Sequence, residues 1–295
     1  MIRPKLLHNG QIRSSSDLIL NPGQVGLLSG WGIFSTIKVV DGVLFEFNRH
    51  WARMSRDADL LRVPFPWSAV ELEEMLIGLV EANQDFNSTL RVAVVRNTGT
   101  MWSGPITDPE FDLIAFTAAR SNWGGACKLG IVPNARHAAC VFTGTKTTSW
   151  AMNLVWYEEA HRRGLDEVIL LNERGEVSEC TSANVFACFG DTAVTPPLSS
   201  GCLPGITRQL LVERVQVPGI QVTESVISLD DLERADGIFI TSSTRDLLPV
   251  AEVEGLSIQT GDRVRKSLAE ALERHQAAYV ALAIRRAAVG IGGVS

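Results

Sequence analysis

The feature that most constrains this chain is a series of short motifs in the second half of its sequence. Lys146 precedes a segment with helical character that ends at Gly164, and a hairpin then carries Glu179 on its second strand. Leu203-Pro204-Gly205 follows and indicates the start of a helix. An amine, a carboxylate and a glycine-led helix start therefore come in a fixed order, within a mixture of hairpins and helices that predicts an α+β fold.

These three groups have complementary chemistry. A lysine amine bonds covalently to an aldehyde, a carboxylate keeps a pyridine nitrogen protonated, and the N–H groups at a helix start bind phosphate. They are the groups that an enzyme needs to hold and use pyridoxal phosphate, which offers one partner to each.

The order and spacing of the motifs resemble those of the class IV (fold type IV) pyridoxal-phosphate enzymes. This family includes branched-chain aminotransferases, D-amino acid aminotransferases and aminodeoxychorismate lyases. The resemblance extends from about Asn9 to Val250. It implies a two-domain α+β enzyme of fold type IV, similar to D-amino acid aminotransferase, with pyridoxal 5'-phosphate as cofactor and the active site between the domains.

The domain limits are predicted from local composition. Residues 1–118 are expected to form an N-terminal α+β domain, and residues 119–125, with small side chains and paired glycines, an interdomain linker. Residues 126–295 are expected to form a C-terminal α+β domain that carries the cofactor lysine. Further helices are predicted over residues 69–83 and 208–215.

The resemblance assigns cofactor contacts to several motifs. It makes Lys146 the catalytic amine that bonds to the cofactor, and it places Glu179, ahead of Asn184-Val185-Phe186, at the pyridine nitrogen. The phosphate contacts are assigned to Arg53 in the His50-x-x-Arg53 helix, to Ile206 and Thr207 at a helix start, and to Ser243 and Thr244 after a strand.

Each of these residues also has a simpler explanation. Isolated lysines and arginines are usually solvated, and Gly-x-Thr or Ser-Ser-Thr sequences occur in ordinary turns. The motif order favours binding for Lys146 and Glu179. Arg53 lies beside the apolar stripe of a helix predicted over residues 49–61 with Asn48 as its N-cap, which favours a buried arginine over a surface one.

Substrate contacts are less constrained by the sequence. Arg91 lies in the middle of a predicted strand, where branched-chain members of the family have an arginine. It is equally explained as a carboxylate anchor or as an arginine on a solvated sheet face. Phe34 and Trp102 could line an apolar pocket, and core packing explains them equally well.

Two recognition patterns of the family are missing. Branched-chain aminotransferases have a tyrosine a few residues after the lysine, where this chain has Trp150 and Ala151. D-Amino acid aminotransferases bind the substrate carboxylate with an Arg-x-His loop, where this chain has Thr100-Met101-Trp102-Ser103. Ser35-Thr36 resembles the hydroxyl residues that some aminodeoxychorismate lyases have in place of a glutamate.

Three functions follow from these observations. The leading hypothesis is an aminotransferase that moves an amino group between an amino acid with an apolar side chain, as in branched-chain substrates, and a 2-oxo acid. The alternative is a 4-amino-4-deoxychorismate lyase that releases pyruvate with the same cofactor. The third hypothesis, from another class, is a non-catalytic protein that binds pyridoxal phosphate.

Composition excludes several other partners and sites. A net charge of −6 argues against nucleic acid and anionic membranes, and no apolar run has membrane-spanning length. The five cysteines form no CxxC pair, the histidines have no metal-ligand spacing, and no apolar signal segment follows Met1. We therefore expect free thiols, no metal site and a cytoplasmic location.

The resemblance also implies a homodimer, because the family completes each pocket with a loop of the partner. Met101-Trp102-Ser103-Gly104-Pro105 is the candidate loop, since it is rich in glycine and proline and carries two large apolar residues.

Overall fold

The computed structural model describes residues 1–17, 25–99 and 110–291. They form two compact units. The first unit is built from described residues within Met1–Ser121, Thr145–Trp150 and Gln276–Ser295, and the second from Asn122–Gly144 and Ala151–His275.

Within the described residues, the first unit contains one six-stranded antiparallel sheet. Its strands are β1 (Ile2–His8), β2 (Gln11–Ser14), β3 (Gly32–Val40), β4 (Val43–Leu44), β5 (Thr89–Arg96) and β6 (Phe111–Ala118). They lie in the order β2-β1-β6-β5-β3-β4. Its first three helices are α1 (Val25–Ser29), α2 (Phe47–Leu61) and α3 (Ala69–Asn83).

Helices α2 and α3 pack on this sheet. Alternate residues of β3 and β5 point toward the helices, because successive side chains of a strand face opposite sides. Ile33, Ile37, Leu90 and Val92 enter the hydrophobic core in this way. Ser35 lies on the same face of β3 and is also fully buried, which brings a hydroxyl group close to α2.

The observed limits of α2 and α3 match the helices predicted from the sequence, except at the start of α2. Helix α3 has the predicted limits, and Ser68 forms a capping box with Glu71 at its start. Asn48 is not the N-cap of α2, because the helix begins at Phe47, directly after Glu46 in a left-handed conformation with φ 55°. The tight turn after β4 determines where α2 begins. The preference of asparagine for the N-cap position does not determine it.

The second unit contains, among its described residues, an eight-stranded mixed sheet. Its strands are β7 (Cys127–Arg136), β8 (Glu167–Asn172), β9 (Val177–Cys180), β10 (Asn184–Phe189), β11 (Thr192–Thr195), β12 (Gln221–Glu224), β13 (Gly237–Ser242) and β14 (Asp246–Val253). They lie in the order β12-β11-β10-β13-β14-β7-β8-β9. The remaining helices are α4 (Ala151–Arg162), α5 (Ile206–Glu213), α6 (Leu229–Arg234) and α7 (Arg263–Ile291).

The segment that carries Lys146 packs with the first unit, although the sequence suggests a place in the C-terminal domain. The Phe34 N–H donates to the Lys146 carbonyl (3.0 Å), and the Thr148 N–H donates to the Gly32 carbonyl (2.9 Å). Strand β4 pairs only with the far end of β3. The segment therefore occupies the edge of β3 that β4 leaves open. The domain limits at residues 118 and 126 remain a prediction.

The described part of the chain contains no helix that is long and apolar enough to span a membrane. It also contains no group of three or more histidine, cysteine, aspartate or glutamate side chains placed to hold a metal ion. All five cysteines are free thiols, and four of them are buried.

Candidate active site

Lys146 is held by its backbone on both sides. Its N–H donates to Oδ2 of the buried Asp57 (3.0 Å), and its carbonyl accepts from Phe34. Its Nζ lies 4.6 Å from the centroid of the Phe34 ring. The main chain of the candidate catalytic lysine is thus fixed to α2 and β3, and its amine lies over an aromatic face.

Helix α2 brings a second cation to the same unit. His50 and Arg53 are three residues apart and therefore share a helix face. Arg53 Nη2 donates to Ser35 Oγ (2.9 Å), and Ser35 Oγ and His50 Nδ1 share a hydrogen bond of 2.8 Å. All three side chains are buried, so the surface explanation of Arg53 is wrong.

Burial sets the charge of these two α2 side chains. It lowers the pKa of His50 well below the usual range, and the positive charges of Arg53 and Lys146 lower it further. The imidazole is therefore neutral at pH 7. Burial also lowers the pKa of Arg53 to about 10, against the opposing effect of Asp57, so the guanidinium keeps its charge.

Arg91 lies on the sheet face opposite to the core residues Leu90 and Val92, one strand away from Phe34. Its Cζ is 3.9 Å from the centroid of the Phe34 ring, and the Trp150 ring meets Phe34 edge to face with centroids 6.1 Å apart. Burial lowers the pKa of Arg91. The alternative of a fully solvated arginine is thereby weakened. Trp102 lies outside the described residues, as does all of the loop Met101–Pro105.

In the second unit, Glu179 lies on β9 and is bonded through both carboxylate oxygens. Arg136 Nε donates to Oε1 (3.0 Å), and the Leu203 N–H donates to Oε2 (3.0 Å). Arg136 also donates to Asn153 Oδ1 (3.1 Å). Sequence reasoning missed Arg136, because it is 43 residues from Glu179 and belongs to none of the motifs.

Glu176, the other carboxylate of the same hairpin, has a different environment. It pairs with Arg174 and accepts from Asn172 within the turn. These hydrogen bonds, the one from Arg174 above all, lower the pKa of Glu176 to about 2. Its place in the turn supports Glu179 over Glu176 as the cofactor carboxylate.

Helix α5 begins at Ile206, two residues earlier than its sequence suggests, with Gly205 as N-cap. A Cβ at Gly205 would lie 2.1 Å from Asn184 Oδ1, so any other residue there would displace the Asn184 side chain. Asn184 Nδ2 also donates to the Leu203 carbonyl (2.8 Å). The first-turn N–H groups of Ile206 and Thr207 have no partner within the helix, and an anion is favourable at such an end.

One buried hydroxyl fits a phosphate at this place. Thr241 pairs in register with Asn184, so the two side chains lie on the same sheet face, and α5 packs on β13. Among the described residues, Thr241 Oγ1 is buried without a hydrogen-bond partner. The turn with Ser243 and Thr244 follows directly after β13. A polar turn, a helix start and an unsatisfied hydroxyl thus meet at one end of the sheet, and a bound phosphate fits this set.

The architecture is that of a pyridoxal-phosphate enzyme of fold type IV. The Amino-transferase class IV family matches residues 32–253. The chain belongs to the class IV aminotransferase family, and it is a pyridoxal-phosphate-dependent enzyme. This membership argues against a non-catalytic binding protein.

Similar proteins agree on the family and differ in substrate. The chain is 28% identical over 268 residues to a putative branched-chain-amino-acid aminotransferase of Methanocaldococcus jannaschii, with 89% of this chain and 93% of the relative covered. It is 26% identical over 275 residues to a D-alanine aminotransferase of Bacillus licheniformis, with 87% and 91% covered.

A solved structure shows the same fold. The branched-chain aminotransferase of the archaeon Thermoproteus uzoniensis, in complex with norvaline, superposes with a TM-score of 0.83 at 24% identity, over 92% of this chain and 94% of that one. The predicted α+β architecture of fold type IV is confirmed, and family membership confirms the cofactor class. The roles of individual residues remain predictions.

Proposed function

We propose that this enzyme transfers an amino group from an amino acid with an apolar side chain to a 2-oxo acid, with Lys146 as the catalytic amine. Pyridoxal phosphate supplies an aldehyde that bonds to amines and a protonated ring that accepts the electron pair left when the α-proton departs. Lys146 Nζ takes this proton from the donor and, in the second half of the cycle, delivers a proton to the α-carbon of the acceptor.

One observation carries the proposal. The Phe34 ring contacts both Lys146 Nζ, at 4.6 Å, and the Arg91 guanidinium, at 3.9 Å from its centroid. The proposal places the α-carbon of the amino acid near this amine and its carboxylate at Arg91. A planar guanidinium binds a carboxylate through two parallel hydrogen bonds.

The same cluster supports an apolar substrate. Phe34 and Trp150 surround Arg91 with aromatic surface. A substrate with a second carboxylate would place that group against this surface, and an unpaired buried charge is costly. Apolar donors should therefore react better than acidic ones.

Cofactor-binding roles are proposed for the residues that the sequence motifs single out. We propose that Glu179, oriented by Arg136, contacts the pyridine nitrogen. Ile206 and Thr207 at the start of α5, Ser243 and Thr244 after β13, and Arg53 of α2 then bind the phosphate. The fixed carboxylate, the N–H groups of α5 and the buried charge of Arg53 support these assignments.

A lyase remains the second candidate because of Thr36. This residue pairs in register with Arg91 and lies on the same sheet face. Ser35, its neighbour, is instead buried and bonded to His50 and Arg53, so it is not placed to act on a substrate. Pyruvate release from aminodeoxychorismate, without an added 2-oxo acid, would favour the lyase.

We also propose that the enzyme is a homodimer and that α4 contributes to the contact. Met152, Leu154 and Val155 of this helix are exposed, and so are Val141 and Phe142 before it. Clustered exposed apolar side chains often mark an interface.

Substitution of Arg91 tests the substrate proposal. Arg91→Gln should lower kcat/KM for an apolar amino acid, with a loss of about 2–5 kcal/mol in transition-state stabilisation. The loss should be far smaller for an amine that lacks the carboxylate. Arg96→Gln is the matched control, because Arg96 lies on the same strand and stacks on Trp31 at 4.4 Å. Equal losses for amino acid and amine in Arg91→Gln would show that Arg91 only supports the fold.

A further inference from the structure

The turn with Ser243 and Thr244 has an unusual third residue. Strands β13 and β14 form a hairpin in which Ser242 pairs with Asp246, so the loop is only Ser243, Thr244 and Arg245. The Arg245 side chain is 4% exposed, which is rare for a charged residue of a hairpin loop. The loop is therefore tied to the interior of the second unit by its own last residue.

The Arg245 side chain contacts Ser182, in the turn after β9, and Glu167 on β8. Its Nη1 donates to Ser182 Oγ (2.9 Å) and to the Ser182 carbonyl (3.3 Å), and its Nη2 lies 3.6 Å from Glu167 Oε2. The Glu167 side chain is 1% exposed. A buried cation and a buried carboxylate thus form an ion pair, which satisfies both charges away from water.

Glu167 also organises the turn that follows Glu179. It accepts hydrogen bonds from the Thr181 N–H (3.2 Å), from the Thr181 hydroxyl and from Ser182 Oγ (2.7 Å). The carboxylate therefore holds the residues directly after β9, and through Arg245 it is linked to the loop after β13.

Trp123 holds the loop from a second side. Its ring lies 3.7 Å from Arg245 Cζ, and its Nε1 donates to the Thr244 carbonyl (3.0 Å). The stacked guanidinium is confined to one plane, and the hydrogen bond fixes the backbone next to it.

We propose that Glu167, Arg245 and Trp123 are positioning residues that hold the Ser243-Thr244 loop in the conformation that binds the cofactor phosphate. This inference rests on the proposed phosphate role of that loop. Preorganised donors bind an anion without reorganisation at the moment of binding, whereas a loop that samples several conformations loses part of that affinity. The same network also fixes the turn after Glu179, which can affect the binding of the cofactor ring. A comparison of ligands with and without the phosphate isolates the effect on the loop.

The test compares the affinities of the full-length enzyme, stripped of cofactor, for pyridoxal phosphate and for pyridoxal, which lacks the phosphate. Trp123→Phe keeps an aromatic ring for Arg245 to stack on, removes the N–H to Thr244 and reduces the ring area. Glu167→Gln keeps the shape and removes the charge. Each should lower the ratio of the affinity for pyridoxal phosphate to the affinity for pyridoxal by roughly tenfold, the effect of losing one good hydrogen bond.

Two controls separate the possible failures. Val253→Ala removes buried volume from β14, without a contact to the loop, and should lower thermal stability while the ratio of the two affinities is preserved. Ser243→Asp tests the phosphate role itself, since its carboxylate repels the phosphate and leaves pyridoxal unaffected.

The outcomes differ for the two ideas. If Ser243→Asp lowers the ratio but Trp123→Phe and Glu167→Gln do not, the positioning role is refuted and the phosphate role stands. If Ser243→Asp leaves the ratio unchanged, the loop does not bind the phosphate, and both ideas are refuted. Equal losses for both ligands in Trp123→Phe would also overturn the positioning role, because they would indicate general destabilisation.

Discussion

Lys146 combines a fixed backbone with a side chain that lies along an aromatic ring. The hydrogen bonds to Asp57 and from Phe34 hold its main chain on two sides. The amine ends a chain of four methylene groups and lies 4.6 Å from the centroid of the Phe34 ring. A lysine that bonds to a cofactor and then moves protons needs a fixed main chain, because its amine has to return to the same place in each half of the cycle.

At the residue scale, we predict that Lys146→Ala abolishes covalent attachment of the cofactor. Borohydride reduction of the native enzyme, followed by peptide mapping, should place the label on Lys146. Lys128→Ala is the control, since Lys128 is exposed and pairs with Glu252 at the surface, and its variant should label normally. A label on Lys128 or Lys38 would contradict the assignment.

The sequence singled out individual residues only where a local motif marks them. The order of motifs indicated Lys146 and Glu179, and the helix stripe indicated a buried Arg53. Arg136 and Arg245 were not predictable, because their partners Glu179 and Ser182 lie 43 and 63 residues away. Such pairs are formed by strand order, which the pattern of one segment does not reveal.

At the element scale, β9 and the start of α5 are joined through one carboxylate. Glu179 accepts from Arg136 on β7 and from the Leu203 N–H in the loop before α5. A change in this carboxylate therefore affects its electrostatic role and the approach to the helix start together.

We predict that Glu179→Gln retains the cofactor but lowers turnover by about 10²–10³-fold. The amide keeps the shape of the side chain and loses the charge that stabilises a protonated ring nitrogen, and a preorganised electrostatic contact has an effect of this size. Steady-state kinetics and the absorbance of the bound cofactor measure the two properties separately.

The control for this variant is Glu176→Gln. Glu176 lies in the same hairpin and pairs with Arg174, so its loss should lower stability and leave turnover nearly unchanged. Near-normal turnover in Glu179→Gln would exclude the assigned role.

Element boundaries show where tertiary contacts override local preference. Helix α3 has its predicted limits because Ser68 and Glu71 cap it locally. Helix α5 starts two residues earlier than predicted, directly after Gly205, where a Cβ would lie 2.1 Å from Asn184 Oδ1 on another strand. The sequence shows the glycine, but it does not show that Asn184 of another strand lies against it.

At the scale of the whole molecule, the sequence predicted the α+β class, the family and the cofactor, because several ordered motifs agree. It did not predict that residues 145–150 pack with the first unit. It also did not single out the apolar face of α4, since Met152 and Val155 read equally well as core residues of an amphipathic helix.

We predict a homodimer that depends on this face. Val155→Glu should shift the protein toward monomer, because Val155 is 57% exposed and a charge at an apolar contact is costly. Sedimentation velocity at assay concentration measures the distribution. Val70→Glu is the control, since Val70 on α3 is 63% exposed and lies in the other unit. A monomeric wild-type enzyme with full activity would refute the dimer, and an unchanged dimer in Val155→Glu would exclude this face.

The pairing of residues 145–150 with β3 has a consequence for recombination between relatives. A crossover within residues 119–125 would join the β3 of one parent to the lysine segment of another, and the contacts of Phe34, Gly32 and Asp57 with that segment would be mixed. A functional chimera should inherit residues 145–150 together with β3 and α2. The unit of exchange in this fold is therefore discontinuous in sequence, and a single junction placed between α2 and Lys146 will separate the lysine from the strand that holds it.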